Sequence, residues 1–161
     1  MNLSVFQVDI TSRRRANSKL ENRCCGYNAL VGIGNSDGTG HCTESAPLTL
    51  RLDFDNCGRR SRRGLVGATK EQIVQLINFS RQFPNGKDVL VHSGDGRCRG
   101  AAVAMAMYAA NYLGSEQAVR KVMSECREAA PTEHILHLCD NICGTSLVKE
   151  YRKYAQEKKT S

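Results

Sequence analysis

The segment Val91-His92-Ser93-Gly94-Asp95-Gly96-Arg97-Cys98-Arg99-Gly100 joins a short apolar approach to a glycine-rich turn that closes on an arginine. Glycines at 94, 96 and 100 let a backbone come close to an anion with no side chain in the way. Arg99 offers a planar, two-pronged donor suited to phosphate oxygens. If a strand leads in and a helix leads out, successive N–H groups and the positive end of the helix dipole converge on one hollow. The chemistry this favours is the holding of a phosphate-like anion. The plainer alternative is a tight turn followed by a solvated arginine.

The flanking elements meet that condition. Asp88-Val89-Leu90-Val91-His92 is a short apolar run between turn signals, which predicts a buried central strand. From Arg99 the chain reads as helical to near its end. Ala101 to Leu113 is dense in Ala and Met, a buried helix stopped by Gly114. Ser115 is placed to cap a helix to about Ala129, Pro131-Thr132 opens another, and Gly144-Thr145 the last. Upstream, Leu3, Val5, Val8 and Ile10 alternate as a strand, and 13–23 is a basic loop or short helix. Tyr27 to Ile33 is a second strand, Gly32 to Gly40 a loop, and Leu48 to Phe54 a third strand. Thr69-Lys70-Glu71-Gln72 fits a capping box for a helix with Ile73, Leu76, Ile77 and Phe83 on one face, interrupted by Ser80 and stopped by Pro84-Asn85-Gly86. Strands and helices first, helices last, predict an α/β fold with a central mixed sheet flanked by helices and a helical C-terminal part.

The bulk properties agree. The 161 residues suit one domain spanning 1–161 with a core of its own. No apolar run approaches the length of a membrane span, and residues 1–10 lack the apolar core of a signal peptide, so a cytoplasmic protein is expected. The net charge of +7, partly in Arg13-Arg14-Arg15 and Arg59-Arg60-Ser61-Arg62-Arg63, favours anionic partners. Aromatics at 6% with no Trp argue against a base-stacking surface, so nucleic acid is the weaker partner. The 8 cysteines follow no zinc spacing and read as free thiols, mostly buried, in a reducing compartment; no metal is expected.

His92-Ser93-Gly94-Asp95-Gly96-Arg97-Cys98-Arg99 resembles the His-Cys-x5-Arg signature of the cysteine-dependent protein tyrosine and dual-specificity phosphatases, with Ser93 in place of Cys. With Gly64-Leu65-Val66-Gly67 and the elements around it, the pattern resembles a compact bacterial tyrosine-phosphatase-like family over about residues 48 to 113. Outside that stretch only the order of elements fits. The resemblance implies a thiolate that attacks phosphorus, a covalent phosphocysteine, and hydrolysis by water without a metal or cofactor. It makes position 93 the nucleophile site and Arg99 the phosphate clamp. The backbone of Ser93, Gly94, Asp95, Gly96, Arg97, Cys98 and Arg99 becomes the cradle. His92 would tune the nucleophile through hydrogen bonding. It also implies an aspartate as general acid. Asp53 and Asp55 share one face if their segment is a strand, and Asp55, at the strand's end, matches the family better.

Three departures qualify that picture. Serine is far less acidic than cysteine, so this chain should bind but hardly turn over. It is either an engineered Cys→Ser substrate-trapping form or a natural pseudophosphatase that holds phosphoresidues. Gly100 replaces the hydroxyl residue that usually follows the arginine. Cys98 inside the loop is a spectator thiol or, in a cysteine form, a disulfide partner for the nucleophile. The expected partner is a phosphorylated substrate, foremost a phosphoprotein, with RNA 5′-phosphates or phosphoinositides as weaker alternatives. The basic loop 59–63 is expected to attract anionic ligands.

Overall fold

The computed structural model describes residues 6–22, 26–57, 64–83, 86, 88–111 and 113–160. In chain order the elements are β1 (Gln7–Ser12), α1 (Arg13–Glu21), β2 (Ala29–Gly34), β3 (Leu48–Asp53), α2 (Lys70–Ser80) and β4 (Asp88–Ser93). Four helices follow: α3 (Arg99–Ala110), α4 (Ser115–Glu125), α5 (Glu133–Cys143) and α6 (Leu147–Thr160). The strands form one sheet in the order β1-β4-β2-β3. The α/β class is as expected, with one correction. The described strands pair in parallel throughout, not as a mixed sheet. The cause is that no two of these strands in succession are joined by a tight hairpin; each is followed by a helix or a long loop that carries the chain back.

β4 is central, paired with both β1 and β2. Its side chains alternate between two layers. Val89 and Val91 face the main core with Val8, Val31, Ile33, Leu50 and Leu52, covered by α2 to α6. Leu90 faces a thinner layer with Leu30, Cys42 and Ala16 of α1.

Local signals set the helix ends. Thr69 and Gln72 form the reciprocal capping box of α2. Ser80, which breaks the apolar face of α2, is buried and bonded: it donates to the Ile77 carbonyl at 2.7 Å and accepts from Asn111 Nδ2 at 2.8 Å. Asn111 also donates to the Met107 carbonyl at 2.8 Å, which ends α3 at Ala110, short of the expected Leu113. α6 is capped from a neighbouring helix: the Asp140 carboxylate accepts from the amides of Leu147 and Val148 at 2.7 and 3.1 Å. No described helix is long and apolar enough to cross a membrane.

Candidate active site

The loop 94–98 joins β4 to α3, the strand–loop–helix setting that anion binding requires. Its carbonyls are tied outward. The Gly94 carbonyl accepts from the Arg13 amide at 3.3 Å, the Arg97 carbonyl from Ala130 at 2.9 Å, and the Cys98 carbonyl from Thr132 at 3.3 Å. Because a trans peptide points its C=O and N–H in opposite directions, the amides of Asp95, Cys98 and Arg99 turn the other way. The Arg97 amide is an exception within the expected cradle: it donates to Asp95 Oδ1 at 2.9 Å and shapes the turn. α3 begins with no side-chain cap and no acidic residue in its first turn, so its positive end stays available to an anion.

The glycines act differently from one another. Gly96 has φ +82°, and a Cβ there would lie 2.8 Å from the Thr11 carbonyl oxygen at the end of β1. Only glycine satisfies both demands. Gly100 lets the first turn of α3 settle on β4: a Cβ would stand 3.2 Å from Ile10 Cγ2 and 3.3 Å from Ser93 Oγ. These two glycines therefore bring the loop close to its own sheet, beyond the expected approach to a ligand.

Ser93 is buried at the end of β4, and its Oγ accepts from the Gly100 amide at 3.1 Å. The residue that lacks the family's hydroxyl thus still gives position 93 a hydrogen bond, through its backbone. Arg99 is buried and reaches across the sheet ends. Its Nη1 donates to the carbonyls of Gly34 at 3.0 Å and Phe54 at 2.8 Å, and to Asn35 Oδ1 at 3.3 Å. Its Nη2 stands 3.4 Å from where a Cβ on Gly94 would be, at the mouth of the loop. Burial lowers the guanidinium from its ordinary value, while Asp55 and Asp95 oppose that effect.

Asp55 is 8% exposed and lies at the same sheet end. Its carboxylate accepts from the Ser36 hydroxyl at 2.5 Å, the Ser36 amide at 3.0 Å and the Val66 amide at 2.8 Å. These donors, with the Arg99 charge, hold its carboxyl below the usual carboxylate range. Asp53 points to the other layer, where its Oδ1 lies 2.5 Å from His41 Nε2. The two aspartates do not share an environment, because Asp55 lies beyond the end of β3, where strand alternation has lapsed.

His92 departs from expectation. Both ring nitrogens are buried with no hydrogen-bond partner among the described residues. The ring lies on the layer opposite Ser93 and does not tune it by hydrogen bonding. Desolvation, aided by the charges of His41, Arg51, Arg13 and Arg99, lowers its pKa to about 4. Cys98 is a free, half-buried thiol, as are Cys57, Cys126 and Cys143; Cys42 and Cys139 are buried. The basic run 59–63 lies outside the described residues. A cavity of about 550 Å³ lies on the outer flank of the loop, lined by Thr11, Arg15, Asp95, Gly96, Arg97 and Arg127 among others, and not by Ser93, Arg99 or Asp55.

Sequence reading missed Asn35, Ser36 and His41. All three sit in or just after the Gly32 to Gly40 stretch, which is legible as a loop. Their partners at 55, 99 and 53 lie far off in the chain, and no local pattern marks such contacts.

No family model and no curated protein matches the sequence. Solved structures do. Human DUSP28 aligns with a TM-score of 0.58 at 19% identity, covering 92% of this chain and 94% of its own. PTPMT1, solved in complex with PI(5)P, aligns at 0.61 and 16% identity over 92% and 94%. A human tyrosine phosphatase-like serine/threonine/tyrosine-interacting protein aligns at 0.62 and 19% over 84% and 89%. At these identities the likeness is one of fold. The chain has the fold of the dual-specificity phosphatases.

Proposed function

We propose that residues 1–161 form one phosphomonoester hydrolase unit of the protein-tyrosine or dual-specificity type, here in a serine form that binds substrate and hardly turns it over. The observation that carries this reading is Arg99: three oxygens from β2, the following loop and the segment just after β3 fix its Nη1, while its Nη2 stands at the mouth of the loop, 3.4 Å from where a Cβ on Gly94 would be. A buried arginine fixed beside an uncapped helix start is a clamp built in advance for phosphate oxygens.

In a cysteine form, the thiolate at 93 would attack phosphorus. The P–S bond forms as the ester P–O bond breaks, and Asp55 gives the leaving oxygen its proton. Water then attacks the phosphocysteine, the P–S bond breaks, and the water's proton passes to the Asp55 carboxylate. The Gly100 amide, already bonded to the position-93 side chain, supports the departing thiolate. Asp55 must release Ser36 and Val66 donors to become protonated, so proton donation goes with movement of the 64–67 segment and of Ser36 in the loop after β2. The phosphorylated substrate is foremost a phosphoprotein in the cytoplasm, a setting consistent with six described free thiols.

A second reading has support of its own. One fold neighbour is called phosphatase-like and interacting, and the buried Ser93 hydroxyl already accepts a hydrogen bond from the Gly100 amide where it stands. On that reading, the chain is a natural phosphoresidue-binding module. Replacement Ser93→Cys with an aryl phosphate assay separates the two. A gain of about a thousandfold or more supports the hydrolase; no gain, with phosphopeptide binding intact, supports the module.

A further inference from the structure

We propose that His41 is a positioning residue for the loop: anchored by Asp53 and seated on Gly32 and Gly34, it seals the His92 imidazole from water and keeps the ring preceding position 93 uncharged. The link to position 93 rests on the proposed function; the seal itself does not.

The geometry is specific. His41 Nε2 lies 2.5 Å from Asp53 Oδ1, which directs its N–H at that carboxylate and turns Nδ1 inward. That Nδ1 and both nitrogens of His92 are buried and unpartnered, and no other described side-chain polar atom shares that condition. The two rings meet edge to face, with centroids 6.3 Å apart. They meet over Gly32, whose lack of a side chain leaves room for both. A Cβ on Gly32 would lie 2.8 Å from His92 Nε2 and 3.3 Å from His41 Nδ1. A Cβ on Gly34 would lie 2.5 Å from His41 Nε2. Two glycines in one strand thus make the floor on which the rings sit, in a strand where a side chain at either position would displace one of them.

A buried, unpartnered imidazole is tolerated when neutral and strongly disfavoured when charged. The groups that face His92 reinforce this, three arginines by their charge and His41 by the ring it packs alongside. Arg51 comes from β3, Arg13 from α1, Arg99 from α3 and His41 from the loop after β2. Asp53 faces His41 and is separated from His92 by that ring. Remove the His41 ring, and water and Asp53 both gain access to His92. An imidazolium one residue from position 93 would stabilise an anion there, so the seal sets the pH at which the site acquires extra positive charge.

The test is an NMR titration of the His92 ring in the full chain, as it stands and with His41→Ala. In the parent, His92 stays neutral down to about pH 4. In His41→Ala its midpoint moves upward by about one unit or more, toward the value of a free imidazole. His41→Phe keeps a ring on the glycines and leaves the midpoint low. An unchanged midpoint in His41→Ala, or a parent midpoint already near 6.5, overturns the proposal. If His41→Ala does not fold, Asp53→Asn loosens the anchor with the ring retained; the same upward direction is expected, and no movement counts against it. In a Ser93→Cys background, alkylation by iodoacetamide at pH 5.5 should run about threefold to tenfold faster with His41→Ala. If that protein fails as a hydrolase, the titration still reports on the seal, so the two readings fail separately.

Discussion

The two faces of the sheet differ in depth and in kind. On one, α2 to α6 bury a continuous apolar core around Ile73, Leu76, Met105 and Leu136. On the other, α1 and the loop after β2 cover a small apolar cluster at Leu30 and Leu90, and toward the strand ends the layer turns polar with His41, Arg51, Asp53 and His92. Ser93 and Arg99 belong to the deep face, where a Cβ on Gly100 would touch Ser93, Ile10 and Val91. The difference teaches that anchoring and tuning are separated. The deep face carries most of what holds the loop, with the Arg13 amide of α1 adding one tie from the other side, and the thin face, on the proposal above, sets the charge beneath it. A parallel strand buried on both sides makes this division available, because residues 92 and 93 necessarily look in opposite directions.

The largest effects should come from the deep face. Leu76→Ala or Leu136→Ala should each cost about 3 kcal/mol of stability in urea unfolding, with phosphate affinity of the folded protein unchanged. Loss of affinity in step with stability would erase the distinction between the faces.

Next comes a pH effect from the thin face. The His92 pKa is lowered from 6.5 in the unfolded chain to about 4 in the fold. The unfolded state therefore binds the proton first as pH falls, so the stability this group contributes is present above pH 6.5 and lost on descending toward 4. The loss reaches about 3 kcal/mol. His92→Asn should flatten that slope in unfolding curves taken between these limits. Asp55, also lowered, acts in the same direction but in a more acidic window, below the ordinary carboxylate value.

Gly96→Ala should cost about 2 kcal/mol, through strain at positive φ and the Thr11 carbonyl, and should weaken phosphate binding in calorimetric titration by more than its loss of stability. The smallest effect concerns the edge of the sheet. The Tyr108 hydroxyl accepts from the Val8 amide at 2.8 Å, so Tyr108→Phe should cost about 1 kcal/mol and leave the loop untouched.

Most of the deep face was legible in the sequence. Apolar spacing marked α2, the run 88–92 marked β4, and the Ala- and Met-rich stretch marked α3. The loop between β4 and α3 was legible because its glycines and Arg99 fall within one short stretch. Parallel pairing throughout was not, since pairing sense depends on where crossovers place strands. The thin face was nearly invisible. His41 and Asp53 meet through tertiary contact alone, and nothing near Gly32 or Gly34 reveals that their missing side chains make room for two rings. The use of the Arg97 amide by Asp95 depended on a turn geometry that composition does not fix.

The central claim is that the loop and Arg99 hold a phosphate whether or not position 93 is reactive. The direct measurement is a titration of the serine-containing chain with inorganic phosphate, following backbone amide resonances by NMR, beside the same titration of Arg99→Ala. The account predicts saturable shifts at Asp95, Cys98 and Arg99 in the parent, and their loss in the variant. Absent shifts in the parent, or identical binding in Arg99→Ala, would contradict it.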